Sequence, residues 1–161
     1  MEEEKGRVER RSRSALLGWG SGYFRDSALR MERSMDTHDN EARKKQAAFW
    51  LEYSQQLSTA IRYVEALAAA ERAVQLDETR AEVWYVKGTC RAMLAQYDLA
   101  LADFEHALAL DHSYVPAWDG KAWVLGILGD KAGALAAIDR ALELDPEYFE
   151  AVKRKKRLEV M

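Results

Sequence analysis

Few side chains in this 161-residue sequence are spaced for bond-making chemistry. The histidines His38, His106 and His112 are scattered, and no His, Cys, Asp or Glu spacing matches a metal site. The single cysteine, Cys90, has no nucleophile–base arrangement around it, so it reads as a small buried hydrophobe. It also leaves no intramolecular disulfide to form. Gly18, Gly20 and Gly22 suggest a phosphate loop, yet no strand precedes them and no Lys–Ser/Thr follows. The acidic pairs are distributed as solvated helix faces. One basic run, Lys153–Arg157, has the charge to meet phosphate or anionic lipid, or to serve as a nuclear import signal. It lacks interleaved aromatics and adjoins acidic sequence, so a solvated helix face is the expectation. The residues therefore predict no catalysis, metal, cofactor or small-molecule substrate, and point to a binding protein.

The elements that would carry binding residues follow from a repeat. Trp84 has counterparts at Trp50 and Trp118, Ala100 at Ala66 and Ala134, and Ala107 at Ala73 and Ala141, all 34 residues apart. The pair Leu110–Asp111 returns as Leu76–Asp77 and Leu144–Asp145. Small and large residues at fixed phases are the mark of stacked helical hairpins. Only 2 prolines and 9 glycines interrupt the chain, which leaves room for long helices. The spacing predicts helix pairs over 41–60 and 63–76, 81–95 and 97–110, and 115–128 and 131–144. A seventh helix is expected at 149–160. Asp39 or Asn40 is placed to cap the first helix, Asp98 and Asp130 lie near the positive starts of the fourth and sixth, and Pro146 falls where one helix has stopped and the next begins.

Charge divides the same way as the pattern. Residues 47–148 hold 8 basic and 16 acidic side chains, net −8. Residues 1–46 are net +2 and residues 149–161 net +3, so contact between repeats and flanks is favoured at low salt. No apolar run approaches the ~20 residues of a membrane span. Arg10, Arg11 and Arg13 precede only Ala15–Leu17 before Gly18, too short for a signal-peptide core. Cytoplasmic residence is the expectation.

These residues resemble the tetratricopeptide-repeat family, whose 34-residue pattern sets Trp, Leu, Gly and Tyr on helix A, then Ala, Phe, Ala and a closing Pro. The second frame gives Trp84, Lys87, Gly88, Arg91, Ala100, Phe104, Ala107 and His112 at those phases. The third gives Trp118, Lys121, Ala122, Leu125, Ala134, Ile138, Ala141 and Pro146. The first, with Trp50, Tyr53, Ser54, Leu57, Ala66, Ala70, Ala73 and Glu78, departs furthest, because Ala70 stands where Phe104 and Ile138 stand. The resemblance implies an all-α helical-hairpin solenoid: repeats at 47–80, 81–114 and 115–148, then a basic capping helix over 149–161. Residues 1–46 are expected to form a charged and aromatic N-terminal extension, partly helical.

In that family, helix A residues out of phase with the core line a concave groove that takes a partner peptide or helix. Carried over by phase, the groove comprises Leu51, Glu52, Gln55 and Thr59, then Tyr85, Val86, Thr89 and Met93, then Asp119, Gly120, Trp123 and Ile127. Lys153 and Arg157 join it from the last helix. Trp123 lies off the 34-residue phase, so it serves either the groove or packing against the capping helix. Members that grip acidic chaperone tails use Lys, Asn and Arg at phases where this chain has Leu51, Gln55, Val86, Pro116 and Gly120. That clamp is missing. The resemblance thus implies a non-catalytic protein-binding scaffold or assembly factor. Gly88–Leu101 is also similar to the middle repeat of type III secretion translocator chaperones, which implies, as an alternative, a chaperone holding an apolar client segment. A third reading is an adaptor using its basic C-terminal helix on anionic membrane or nucleic acid.

Outside the repeats, Leu16, Leu17, Trp19, Tyr23, Phe24, Leu29 and Met31 gather in residues 15–35. Such residues seldom stay exposed together. They are expected to cover the repeats in cis, to join two copies, or to anchor a larger assembly. Deletion of residues 1–36 with mass measured by light scattering separates these readings. Loss of a dimer assigns the segment to self-association, and an unchanged mass removes that reading.

Overall fold

The computed structural model describes residues 40–160, and the docking residues expected between 15 and 35 lie outside that range. Seven helices follow one another: α1 (Asn40–Thr59), α2 (Tyr63–Leu76), α3 (Ala81–Met93), α4 (Tyr97–Leu110), α5 (Val115–Ile127), α6 (Lys131–Leu144) and α7 (Phe149–Val160). No strand occurs among the described residues. Lys44–Met161 forms one compact unit, an all-α solenoid of three hairpins closed by α7.

Two kinds of turn join the helices, and each has a local chemical cause. After α2, α4 and α6 the chain leaves the helix at Asp77, Asp111 and Asp145, whose extended backbones still donate to Ala73, Ala107 and Ala141. The side chains then close the turn. Asp77 Oδ1 accepts from the Thr79 amide and hydroxyl at 3.1 and 2.6 Å, and Asp111 Oδ1 accepts from the Ser113 amide and hydroxyl at 2.9 and 2.6 Å. Asp145 Oδ1 accepts from the Glu147 amide at 3.0 Å. The recurring Leu–Asp pair is thus the last helical residue followed by an Asx turn.

Within each hairpin the chain turns through a left-handed residue at one phase: Ile61 (φ 61°), Ala95 (φ 58°) and Gly129 (φ 83°). Only glycine sits there without strain, and Ile61 bears roughly 1–2 kcal/mol for its Cβ. These turns end α3 and α5 at Met93 and Ile127, earlier than the expected 95 and 128, because the chain must leave the helix before the left-handed residue. At the start of α6 Asp130, expected near the positive helix end, is its cap and accepts from the Gly133 amide at 2.9 Å. Asn40 is already helical and so is not the cap of α1.

The core is built around Phe104, which is 0% exposed. A Cβ at Gly88 would lie 2.8 Å from its ring, and one at Gly120 also 2.8 Å. The ring is therefore wedged between helix α3 of its own hairpin and helix α5 of the next. The phases of the other hairpins show volume traded at the same slot. Around Ala70 the corresponding helix A residues are the larger Ser54 and Val86, and around Ile138 they are Ala122 and Arg154. Ala70 and Ile138 are both fully buried. The tryptophans are structural as well. Trp50 is 2% exposed, while Trp84 and Trp118 are half-buried and donate their indole N–H to the Glu78 and His112 carbonyls at 2.8 and 2.9 Å.

The capping role of α7 follows from its apolar side. Ala151 is fully buried with Ala122, Ala137, Ile138 and Ala141, and Leu158 packs on the same cluster. Gly120→Ala is expected to destabilise the fold by about 1–3 kcal/mol in thermal or urea denaturation, because the added methyl meets the ring. Adding Phe104→Leu should recover part of that loss.

Candidate functional site

The helix A set lines one face of the unit. α3 touches α5 and α5 touches α7, whereas α4 and α6 make no comparable contact, so the wall curves inward on the side of α3, α5 and α7. Along that wall the expected groove residues divide by burial. Glu52, Gln55 and Thr59 on α1, Met93 on α3, Ile127 on α5, and Lys153 and Arg157 on α7 are exposed. Tyr85, Thr89 and Trp123 are half-buried. Leu51 and Val86 are only 4% and 6% exposed, so they support the wall from behind and present little side chain to a partner. Val86 has the phase of Gly120, and Gly120 itself lies under the Phe104 ring. Trp123 packs with Tyr85, Tyr97 and Leu101 against Ala92, Ala100, Phe104 and Val124, which ties it to the α3–α5 seam.

Two ion networks hold the wall. Asp119, 7% exposed, accepts from Arg154 Nε at 2.7 Å and from a second guanidinium nitrogen at 2.9 Å, locking α7 onto α5. A fork-to-carboxylate pair of this kind is geometrically specific as well as strong. Asp119 is therefore a strut, not an open carboxylate for a partner. Asp103, 3% exposed, meets Lys87 at 3.1 Å and Arg91 at 2.8 Å, and Arg91 reaches Glu71 at 3.5 Å. Lys155 is held by Asp139 at 2.7 Å. Of the five cations in the basic run, Arg154 and Lys155 are thus committed to carboxylates of the repeats.

A feature that phase reasoning passed over stands at the amino ends of the helix A set. Tyr85 and Tyr114 meet edge to face with ring centroids 5.6 Å apart. Burial raises Tyr114, and Glu82, Tyr85 and Tyr148 raise it further. Burial also pushes Tyr148 up to about 12, helped by Tyr85, Asp119 and Glu150. Tyr85 is raised by burial against a lowering hydrogen bond from Thr89, with Asp119 and Glu150 adding to the rise. Tyr114 and Tyr148 are themselves 34 residues apart, so the signal was present in the sequence, at the last position of each frame.

Cys90 is 1% exposed beside Ser54 and Ser58, at 3.8 and 3.6 Å, and burial pushes its thiol up, away from nucleophilic use. No group of three or more potential metal ligands comes together among the described residues. None of the described helices is long and apolar enough to cross a membrane.

The tetratricopeptide-repeat family model matches residues 115–148. Its 34 residues span the α5–α6 hairpin, whose Trp118, Ala134 and Ala141 recur in phase through the two hairpins before it. The fold is that of a tetratricopeptide-repeat protein. Solved tetratricopeptide-repeat structures superpose over most of the chain. The Arabidopsis OM64 domain has a TM-score of 0.70 at 20% identity, covering 73% of this chain and 97% of that one. The second domain of human RPAP3, solved in complex with the HSP70 peptide SGPTIEEVD, has a TM-score of 0.66 at 18% identity, covering 75% and 98%. The Yersinia enterocolitica type III secretion chaperone SycD, in complex with a peptide of the translocator YopD, has a TM-score of 0.61 at 21% identity, covering 69% and 85%. A comparison with curated protein sequences gives no match.

The tyrosines of this tetratricopeptide-repeat wall give a measurable pH response. Tyr148 ionises near 12 in the fold against 10.0 for the free phenol, so the folded state holds the proton more tightly. Its contribution is complete below pH 10 and is lost as pH rises through about 12. Phenolate absorbance should show a late-titrating class, and Tyr148→Phe should reduce both that class and the alkaline fall in melting temperature.

Proposed function

We propose that this chain is a non-catalytic protein-binding scaffold that receives a partner peptide or helix on the wall formed by α1, α3, α5 and α7. The observation that carries the reading is the pair Met93 and Ile127, at one repeat phase on α3 and α5 and 43% and 46% exposed, with half-buried Trp123 one turn before Ile127. Apolar side chains left open next to a rigid aromatic are the usual anchor of an interface, while the polar rim excludes water. The tetratricopeptide-repeat fold and neighbours solved with bound peptides support the same reading.

The partner's chemistry differs from that of acidic chaperone tails. The phases that would need Lys, Asn or Arg carry Leu51, Gln55, Val86, Pro116 and Gly120, and of these Leu51, Val86 and Gly120 are buried. An apolar client held as by a secretion chaperone is the second reading, favoured by the same Met93–Trp123–Ile127 shelf. The reading as a basic-helix adaptor is weaker, because Arg154 and Lys155 are engaged within the unit. Residence in the cytoplasm is part of the proposal, as is a role for residues 15–35 in covering the repeats, joining two copies or anchoring a larger assembly.

The test is quantitative capture with the full chain against Met93→Asp/Ile127→Asp and against Ala102→Arg, an exposed position on α4. Exposed substitutions usually alter stability by no more than about 0.5 kcal/mol, so all three proteins should melt alike. Partners recovered by wild type and Ala102→Arg should fall by about tenfold or more with the double variant. Equal recovery by all three removes the wall assignment.

A further inference from the structure

Deepening the wall reading and resting on it, we infer that Lys153 and Arg157 grip one internal Asp or Glu side chain of the bound segment, whose apolar residues lie on Met93, Trp123 and Ile127. The register of α7 on α5 sets these groups side by side. Asp119 accepts from Arg154 Nε at 2.7 Å in the first half of α5, and a Cβ at Gly126, near its end, would lie 3.8 Å from Leu158 Cδ2. Between those two contacts stand Trp123 on α5 and Arg157 on α7, which share one repeat phase. Arg157 adjoins Leu158 as Ile127 adjoins Gly126, so the cation and the apolar side chain come from neighbouring positions on facing helices. On its other flank Trp123 packs on the cluster that contains Ala92, the residue before Met93. The cations and the apolar shelf therefore form one strip across α3, α5 and α7.

The cations of α7 are sorted by what they face. Arg154 and Lys155 meet Asp119 and Asp139, each at 2.7 Å. Lys156 has the phase of Gly88 and Ala122, a core phase, and so lies off the wall. Lys153 and Arg157 stand four residues apart on one side of the helix, exposed and without an ion pair among the described residues. Like charges at that spacing repel one another, and a carboxylate bound between them turns the repulsion into attraction for both. Glu150 shares that side of α7 one turn before Lys153, whose Nζ lies instead 5.9 Å over the Phe149 ring. Two cations against one carboxylate leave an excess of one positive charge. That excess calls for a single acid, and the net −8 of residues 47–148 opposes a run of them. The bound segment is thus recognised by one acidic side chain inside an apolar stretch. This separates it from the acidic chaperone tails, whose Lys, Asn and Arg phases are filled here by Leu51, Gln55, Val86, Pro116 and Gly120.

The test is selection of a randomised linear-peptide library, displayed with blocked C-termini, on the full chain. Affinities of the selected peptides are then measured by fluorescence polarisation. Selected sequences should carry one Asp or Glu at a constant distance from apolar residues. Lys153→Gln/Arg157→Gln should weaken them on the order of tenfold while melting like wild type, since both positions are exposed. Replacing the peptide's acid by its amide should make wild type and that variant bind alike. A peptide with lysine in place of the acid should bind Lys153→Glu/Arg157→Glu more tightly than wild type. Selection of peptides without an acid, of basic peptides, or of peptides indifferent to Lys153→Gln/Arg157→Gln overturns the inference and leaves the wall standing if Met93→Asp/Ile127→Asp still abolishes binding. Failure to select any peptide, or binding untouched by that apolar-to-Asp variant, overturns the wall reading and the inference with it.

Discussion

The ring of Phe104, pressed between the bare backbones at Gly88 and Gly120, sets how closely one hairpin lies on the next. A benzyl group needs its full width. It is accommodated only because two helices present no Cβ toward it. Close packing then transmits the choice outward, since interiors pack like organic crystals and have no slack to absorb a methyl group. Where the large side chain is absent, at Ala70, the facing helix carries Val86 where α5 carries Gly120. The stack keeps its spacing by exchanging volume across the seam and does not depend on any one residue type. The same exchange explains why Val86, a groove residue by phase, is hidden.

Charge completes what packing begins. Asp103 and Asp119 are nearly excluded from water, and a carboxylate in that position is tolerated only with partners held in good geometry. Each joins different helices: Asp103 on α4 to Lys87 and Arg91 on α3, and Asp119 on α5 to Arg154 on α7. The terminal helix is attached by two contrasting edges. Ala151 and Leu158 enter the apolar cluster, while Arg154 and Lys155 reach back to acidic residues of the repeats. The basic composition of residues 149–161 is thus in part the complement of the acidic repeats. Lys153 and Arg157 remain exposed on the wall. The wall is consequently mixed along its length, with tyrosines and carboxylates at one end of the A helices and Met93 and Ile127 at the other.

Secondary structure and repeat phase were written in the sequence, because they rest on interactions over a few residues. A period of 34 in Trp, Ala and Leu–Asp determined the helix pairs to within two residues at their ends, and Asp130 stood near the positive start of α6. The inertness of Cys90 was legible from the want of a nucleophile–base arrangement around it in the sequence. What the phase could not supply was accessibility. Leu51, Val86, Gly120 and Asp119 occupy groove phases, yet the first three are buried and the last is consumed by an arginine 35 positions away. That outcome depends on the size and charge of residues on adjoining helices, and a 34-residue period is blind to them. The tyrosines are similar: Tyr114 and Tyr148 share a phase, but only the stacking of α3 on α5 sets the Tyr114 ring 5.6 Å from that of Tyr85. Local propensity chose the elements, and long-range fit between side chains decided which faces were left open.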